Sequence, residues 1–203
     1  MSLEQNLQEQ ARYIKGKFPK ANSIEVNEFG NLIIHVNAKD IVATLKDLRD
    51  DKNLSFKMLL DLFGLDMLGV REPRFEVVYN LLSFKLNNRI TVKASLNDGE
   101  KIDTVCDVFR CANWYEREAF DMFGIEFNNH PDLRRILTDY DFEGYPLRKD
   151  FPLTGYKQVT YDEKEKKFVY EPVSLRQEYR DFDFEMPWKG AQYEISKGEL
   201  SEK

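Results

Sequence analysis

Two cysteines and two histidines in 203 residues are too few for most redox and metal chemistry. Iron–sulfur clusters are held by four cysteine ligands, and a structural zinc site of the usual His/Cys kind takes four ligands. Cys106 and Cys111 follow a helical pattern that sets them about 140° apart around the axis, so they are expected to share neither a disulfide nor a metal and to serve as small buried hydrophobes. No GxGxxG marks a dinucleotide site and no GxxxxGK[ST] marks a nucleoside triphosphate site. No serine, cysteine or threonine stands in a nucleophile elbow. The expectation is a chain with no catalytic residue, no bound cofactor and no metal of its own.

Long apolar runs are also missing. The longest, MLLDLFGLDMLGV, is interrupted by Asp61 and Asp66 and falls short of the roughly 20 residues that span a bilayer, so any membrane association is expected to be indirect. Basic residues number 30 against 36 acidic ones, with a net charge of -6, which argues against nucleic acid or an anionic lipid surface and leaves protein partners. Glu4 and Glu9 stand where a secretory or organellar leader would be apolar or acid-poor, so the chain is expected to be made where it works.

What remains is an ordinary globular composition, 42% hydrophobic and 33% charged. Leu3, Leu7, Ala11, Ile14 and Phe18 recur at helical steps up to Pro19. SIEVNEF and NLIIHVN flank Gly30 as two strands of a hairpin. Asn37 is placed to cap a second helix whose buried face is Ile41, Val42, Leu45 and Leu48. RFEVVYNLLSF is apolar on both faces and predicts an interior strand. RITVKASL alternates and predicts a strand with one wet side. From Asn97-Asp98-Gly99 onward, Ile102, Val105, Val108 and Phe109 predict a helical region running to Gly124. The sum is an α+β fold of two layers, helices packed on a mixed, antiparallel-rich sheet. That domain is expected over 1–150, with an extended, aromatic-rich C-terminal arm over 151–203, in which KQVTY and KFVYE flank DEKEK as a hairpin.

Acids, arginines, aromatics and turn residues are densest from Trp114 to Pro152, WYEREAFDMFGIEFNNHPDLRRILTDYDFEGYPLRKDFP. His130 beside Pro131 and Asp132 has two readings: a proton relay or lone ligand, or a turn histidine bonded to a backbone carbonyl. Arg134, Arg135, Arg148 and Lys149 form the one basic concentration. The acids among them favour an internal or intersubunit ion-pair network over a phosphate grip. Glu116, Arg117, Glu118 and Asp121 read either as the wet face of a helix, with Arg117 and Asp121 paired at i,i+4, or as a docking surface.

The segments Glu116–Gly124, His130–Leu137 and Gly144–Pro152 resemble the signature of the 30 kDa subunit family of the respiratory NADH:quinone oxidoreductase, complex I, whose pattern runs close to EREx-aromatic-DMFGxxFxxHPDLRRIL and then GxPLRKDFP. Tyr145 departs from it, because many relatives carry histidine before PLRK. The resemblance implies a structural and assembly subunit of the hydrophilic arm of this proton-pumping enzyme, with no catalytic residues of its own. It implies FMN and iron–sulfur clusters in partner subunits, and docking chiefly on the quinone-site subunits. It implies a peripheral place on the inner membrane, on the bacterial cytoplasmic side or the mitochondrial matrix side. The residues expected at partner interfaces are Glu118, Asp121, Phe123, His130, Asp132, Arg134, Arg135, Arg148, Lys149 and Asp150 in the signature and Tyr156, Tyr170, Phe182 and Trp188 in the arm. An equivalent subunit of a hydrogenase-like or other quinone-reducing relative, or a free-standing binding module, is the alternative.

Overall fold

The computed structural model describes residues 3–18, 21–27, 30–175 and 177. Helix α1 (Leu3–Lys17) buries Leu7 and Ile14 and is followed by the buried Phe18. Strands β1 (Ala21–Val26) and β2 (Leu32–Asn37) pair antiparallel. A 3-10 turn then leads into α2 (Ile41–Asp50), whose Ile41, Leu45 and Leu48 are fully buried. Strands β3 (Met58–Asp66), β4 (Phe75–Ser83) and β5 (Asn88–Leu96) complete a sheet of order β1-β2-β5-β4-β3. The β2–β5 pair is parallel and the other pairs are antiparallel. Strands β6 (Ile102–Asp103) and β7 (Phe127–Asn128) bridge in parallel around helix α3 (Ala112–Phe123).

Alternation decides which face of the sheet carries the helices. Leu32, Ile34 and Val36, then Ile90, Val92, Ala94 and Leu96, then Phe75, Val77, Tyr79 and Leu81 line one face and merge with the buried side chains of α1, α2 and α3 into a single core. On the opposite face Thr91, Lys93 and Ser95 are half-buried, as expected of a strand with one wet side, while Glu76 of interior strand β4 is buried beneath Arg71 and Lys93 at 2.6 and 3.6 Å.

The first compact unit ends at Gly155 and the second begins at Tyr156. Phe151, expected to open the arm, belongs to the first unit, its ring 5.8 Å from that of Phe142. Strands β8 (Lys157–Asp162) and β9 (Lys167–Pro172) form the hairpin read from KQVTY and KFVYE. Val159 and Tyr161 lie opposite Tyr170 and Phe168, a cross-strand apolar face that is exposed. The arm's Phe182 and Trp188 lie outside the described residues.

Four local expectations are corrected. Residues 97–111 are not helical, because the Ile102 and Thr104 amides donate to the Glu126 and Asn128 carbonyls, which fixes an extended bridge, and helix begins only at Ala112. Cys106 and Cys111 therefore lie in the turns before α3 and not along a helix, and neither is the buried hydrophobe expected, since Cys106 is half-buried and Cys111 exposed. Asn37 precedes the 3-10 turn but caps nothing with its side chain, which pairs with Asn22. Arg117 does not pair with Asp121, since each finds a partner further along the chain.

Candidate functional site

Helix α3 carries four charged residues in six positions, Glu116, Arg117, Glu118 and Asp121, and buries all but Glu118. Buried ionised groups need partners, and the residues after the helix supply them. Gly124 ends α3 at φ 73°, a left-handed position, and a Cβ built there would lie 2.5 Å from the Tyr145 ring. Glycine is thus required twice over, once by the backbone and once by the ring that returns against it.

Asp121 is the hub. Its Oδ2 accepts the amides of Ile136, Leu137 and Thr138 at 2.9, 2.7 and 2.9 Å, and its Oδ1 accepts Thr138 Oγ1 and Arg135 Nη1. Burial alone would raise its pKa, but the Thr138 hydroxyl and the three amides outweigh burial and hold it at about 2. Arg135 also donates to the Gly144 carbonyl at 2.9 Å and lies over the rings of Phe142 and Tyr145. Arg117 donates to the carbonyls of Arg134 and Arg135, both at 3.1 Å. Three α3-to-loop clips therefore close LRRILT onto the helix.

The PLRKD segment is fixed in the same manner. Arg148 donates to the Phe123 carbonyl at 2.6 Å, reaches Asp98, and lies between the rings of Phe75 and Tyr145. The Lys149 amide donates to Asp66, which also accepts from the Leu68 amide and from Arg74, and Arg74 also holds Asp150 at 2.9 Å. Arg74 is the chief reason that Asp66 lies at about 2. Tyr145 serves here as a ring wedged among Gly124, Phe120, Arg135 and Arg148.

At the start of α3, Glu116 is fully buried, with Oε1 accepting the Val105 amide at 2.7 Å and Oε2 accepting Thr104 Oγ1. Burial raises its pKa against those bonds. His130 Nδ1 accepts the Asp132 amide at 3.0 Å, so its hydrogen sits on Nε2, which donates to the Asn113 carbonyl at 3.1 Å. Burial lowers its pKa. Of the two readings of His130, the turn histidine bonded to a carbonyl is the arrangement present.

Of the residues expected at partner interfaces, Asp121, Phe123, His130, Arg135 and Arg148 turn inward and make the contacts above or pack on the core. Glu118, Asp132, Arg134, Lys149, Asp150, Tyr156 and Tyr170 are exposed. Sequence reasoning missed the apolar side chains on α3 and its clipped loop that stand in solvent: Trp114 at 68% exposure, Leu137 at 63%, Tyr140 at 74%, Leu147 and Leu153. The available signal was apolar residues in a turn-rich stretch with no periodicity to give them a core.

A two-layer α+β domain that uses its buried charges to mould its own surface loop, and leaves apolar groups standing on it, belongs to a structural class: the peripheral subunit of a larger assembly. Residues 34–157 match the family described as respiratory-chain NADH dehydrogenase, 30 Kd subunit. The chain is 55% identical to the corresponding NADH-quinone oxidoreductase subunit of Maricaulis maris over 173 residues, 85% of this chain and 86% of that one. It is 49% identical to that of Paramagnetospirillum magneticum, over 93% of this chain and 94% of that one. A solved trypsin-resistant fragment of Nqo5 superposes with a TM-score of 0.50 and 33% identity, covering 65% of this chain and all of the fragment. The chain belongs to the 30 kDa subunit family of the respiratory-chain NADH dehydrogenase, and is a peripheral subunit of NADH:quinone oxidoreductase. Of the readings left open by the sequence, the respiratory one is what these relatives bear. No helix among the described residues is long and apolar enough to cross a membrane.

Proposed function

We propose that this chain is a non-catalytic scaffold of the enzyme's hydrophilic arm, docking on the subunits that form the quinone site while FMN and the iron–sulfur clusters reside in partner subunits. The carrying observation is the set of solvent-standing apolar side chains on α3 and on a loop that internal hydrogen bonds and an ion pair hold in shape. Covering a large apolar side chain returns about 1.5 to 3 kcal/mol, so Trp114, Leu137, Tyr140, Leu147 and Leu153 together offer on the order of 10 kcal/mol gross to a partner. Pre-shaping the loop lowers the entropy lost on docking. The exposed Glu118, Asp132, Arg134, Lys149 and Asp150 form the polar rim. The exposed aromatic face of the β8–β9 hairpin supports a docking role for the arm, since an isolated two-stranded hairpin is marginal in water. The peripheral site is the bacterial cytoplasmic or mitochondrial matrix face of the inner membrane. Replacing Leu137 and Tyr140 by aspartate in the native host tests the reading. The expected result is loss of the intact complex on a native gel and of NADH:quinone reduction, with the chain's own melting temperature unchanged. Normal assembly of the double variant overturns it.

A further inference from the structure

Cys106, Glu116 and His130 stand far apart in sequence, and the fold places their ligand atoms within 4.8 Å of one another. Cys106 Sγ is 3.5 Å and His130 Nε2 is 3.8 Å from the same carboxylate oxygen, Glu116 Oε2. A tetrahedral Zn2+ ion, with bonds of about 2.3 Å to sulfur and about 2.0 to 2.2 Å to nitrogen and oxygen, holds its ligand atoms roughly 3.3 to 3.6 Å apart. The two distances to Glu116 Oε2 are thus near the edge lengths of a zinc tetrahedron before any ion enters, and the third, between Cys106 and His130, lies within 4.8 Å and has to shorten as the ion binds. The Glu116 and His130 side chains are fully buried, and Cys106 is half-buried, which leaves a way in.

The surroundings are those of a supported site. Thr104 and the Val105 amide orient the Glu116 carboxylate, as outer partners orient metal ligands. Nearby in electrostatic terms, Tyr79 is a fully buried phenol whose oxygen has no hydrogen-bond partner and whose ionisation is opposed by burial and by the charge of Glu116.

We propose that Cys106, Glu116 and His130 bind one borderline divalent cation of the Zn2+ class, with a water in the fourth position. The thiol proton, and the carboxyl proton where Glu116 carries one, leave to solvent. The resulting thiolate and carboxylate neutralise the ion, so no net charge is buried. The imidazole stays neutral: its hydrogen moves from Nε2, which becomes the ligand, to Nδ1. The Asn113 carbonyl gives up that hydrogen, and the Asp132 amide, in an exposed turn, passes to water. The Asp132 carboxylate is the acceptor at hand for Nδ1–H, the pairing by which metal-bound histidines are commonly oriented. The ion joins the turn before α3, the helix itself and the HPD turn, and so acts as a structural staple of the signature loop and not as a redox centre.

The test uses the full chain, stripped of metal and titrated with Co2+ and then Zn2+. The expected result is one equivalent of Co2+ with a thiolate-to-cobalt charge-transfer band in the near ultraviolet, displaced by Zn2+, and a melting temperature that rises with free Zn2+. Cys106→Ser, which keeps a hydroxyl donor to Glu116, loses the band while melting as a folded protein without metal. It weakens Zn2+ by more than about tenfold, the loss expected from removal of even an outer partner. Cys111→Ser retains both. Absence of the band in the unaltered chain, its survival in Cys106→Ser, or its loss in Cys111→Ser overturns the proposal.

Discussion

Replacing Asp121 by asparagine is the sharpest probe of the loop. The carboxylate takes three amides on one oxygen and an arginine and a hydroxyl on the other. Asparagine offers one acceptor oxygen, so whichever way it turns, one set of donors faces an NH2 group. At least two donors are orphaned at about 1 to 3 kcal/mol each. A buried charge pair broken at one end costs about 3 to 5 kcal/mol, and the two routes agree. The carboxyl titration gives a third figure. A folded pKa of about 2 against an ordinary 3.8 is worth about 2 kcal/mol. Because that pKa is depressed on folding, the contribution is complete above pH 4 and vanishes as pH falls from about 4 to about 2. For a unit of this size about 3 to 5 kcal/mol lowers the melting temperature by on the order of 10 °C. Asp121→Asn is therefore expected to melt on the order of 10 °C lower near neutral pH, to lose stability less steeply between about pH 4 and pH 2, and to exchange the amides of Ile136, Leu137 and Thr138 rapidly. A variant that melts within about 2 °C of the unaltered chain with those three amides still protected would refute the hub.

Arg135→Ala leaves buried Asp121 without its counter-ion, though still bonded to three amides and the Thr138 hydroxyl, and is expected to lower the domain's own stability by about 1 to 3 kcal/mol. Lysine does not restore it, because one ammonium cannot serve Asp121 and the Gly144 carbonyl as a fork does. An unchanged melt with lost assembly would return this arginine to the partner role expected from sequence. Gly124→Ala puts a side chain at positive φ against Tyr145 and costs at least about 1 to 2 kcal/mol by thermal melting. The double variant with Tyr145→Ala is less destabilised than the sum of the singles, and strict additivity would deny the close approach. Deleting residues 157–203 leaves the melt of the first unit intact but excludes the chain from the complex and abolishes its quinone reduction; incorporation of the truncated chain would remove the arm from the docking scheme.

The sheet was legible because its strands alternate: Ile90, Val92, Ala94 and Leu96 face the core as their period of two requires. Strand β3 lies hidden in the apolar run MLLDLFGLDMLGV, since a register irregularity between Leu59 and Asp61 breaks the alternation that would have announced it. The false helix over 97–111 has the opposite cause. Ile102, Val105 and Phe109 are buried at helical spacing by a bridge and two turns, and spacing alone does not tell these apart. The signature stood out in sequence by composition, but whether its arginines served the chain or a neighbour depended on where the loop returned. No local rule places the Ile136–Thr138 amides beside residue 121. For the same reason the nearness of Cys106, Glu116 and His130 was invisible, and counting only histidines and cysteines left the glutamate out.

The parallel pairing of β2 with β5 sets residue 32 beside residue 90. A growing chain cannot complete that pair until β5 has left the ribosome, so the N-terminal hairpin waits as an unfinished edge from the end of β2 at Asn37 until Leu96 has emerged. Loop closure over such a span makes sheet completion the slow event. The loop over 130–152 follows later still, because its clips are anchored on α3 and on Asp66, which must already be in place. The loop that carries Leu137, Tyr140 and Leu147 into solvent is therefore tied to the completion of the domain beneath it, so that a lesion in α3 or at Asp66 is felt at this surface.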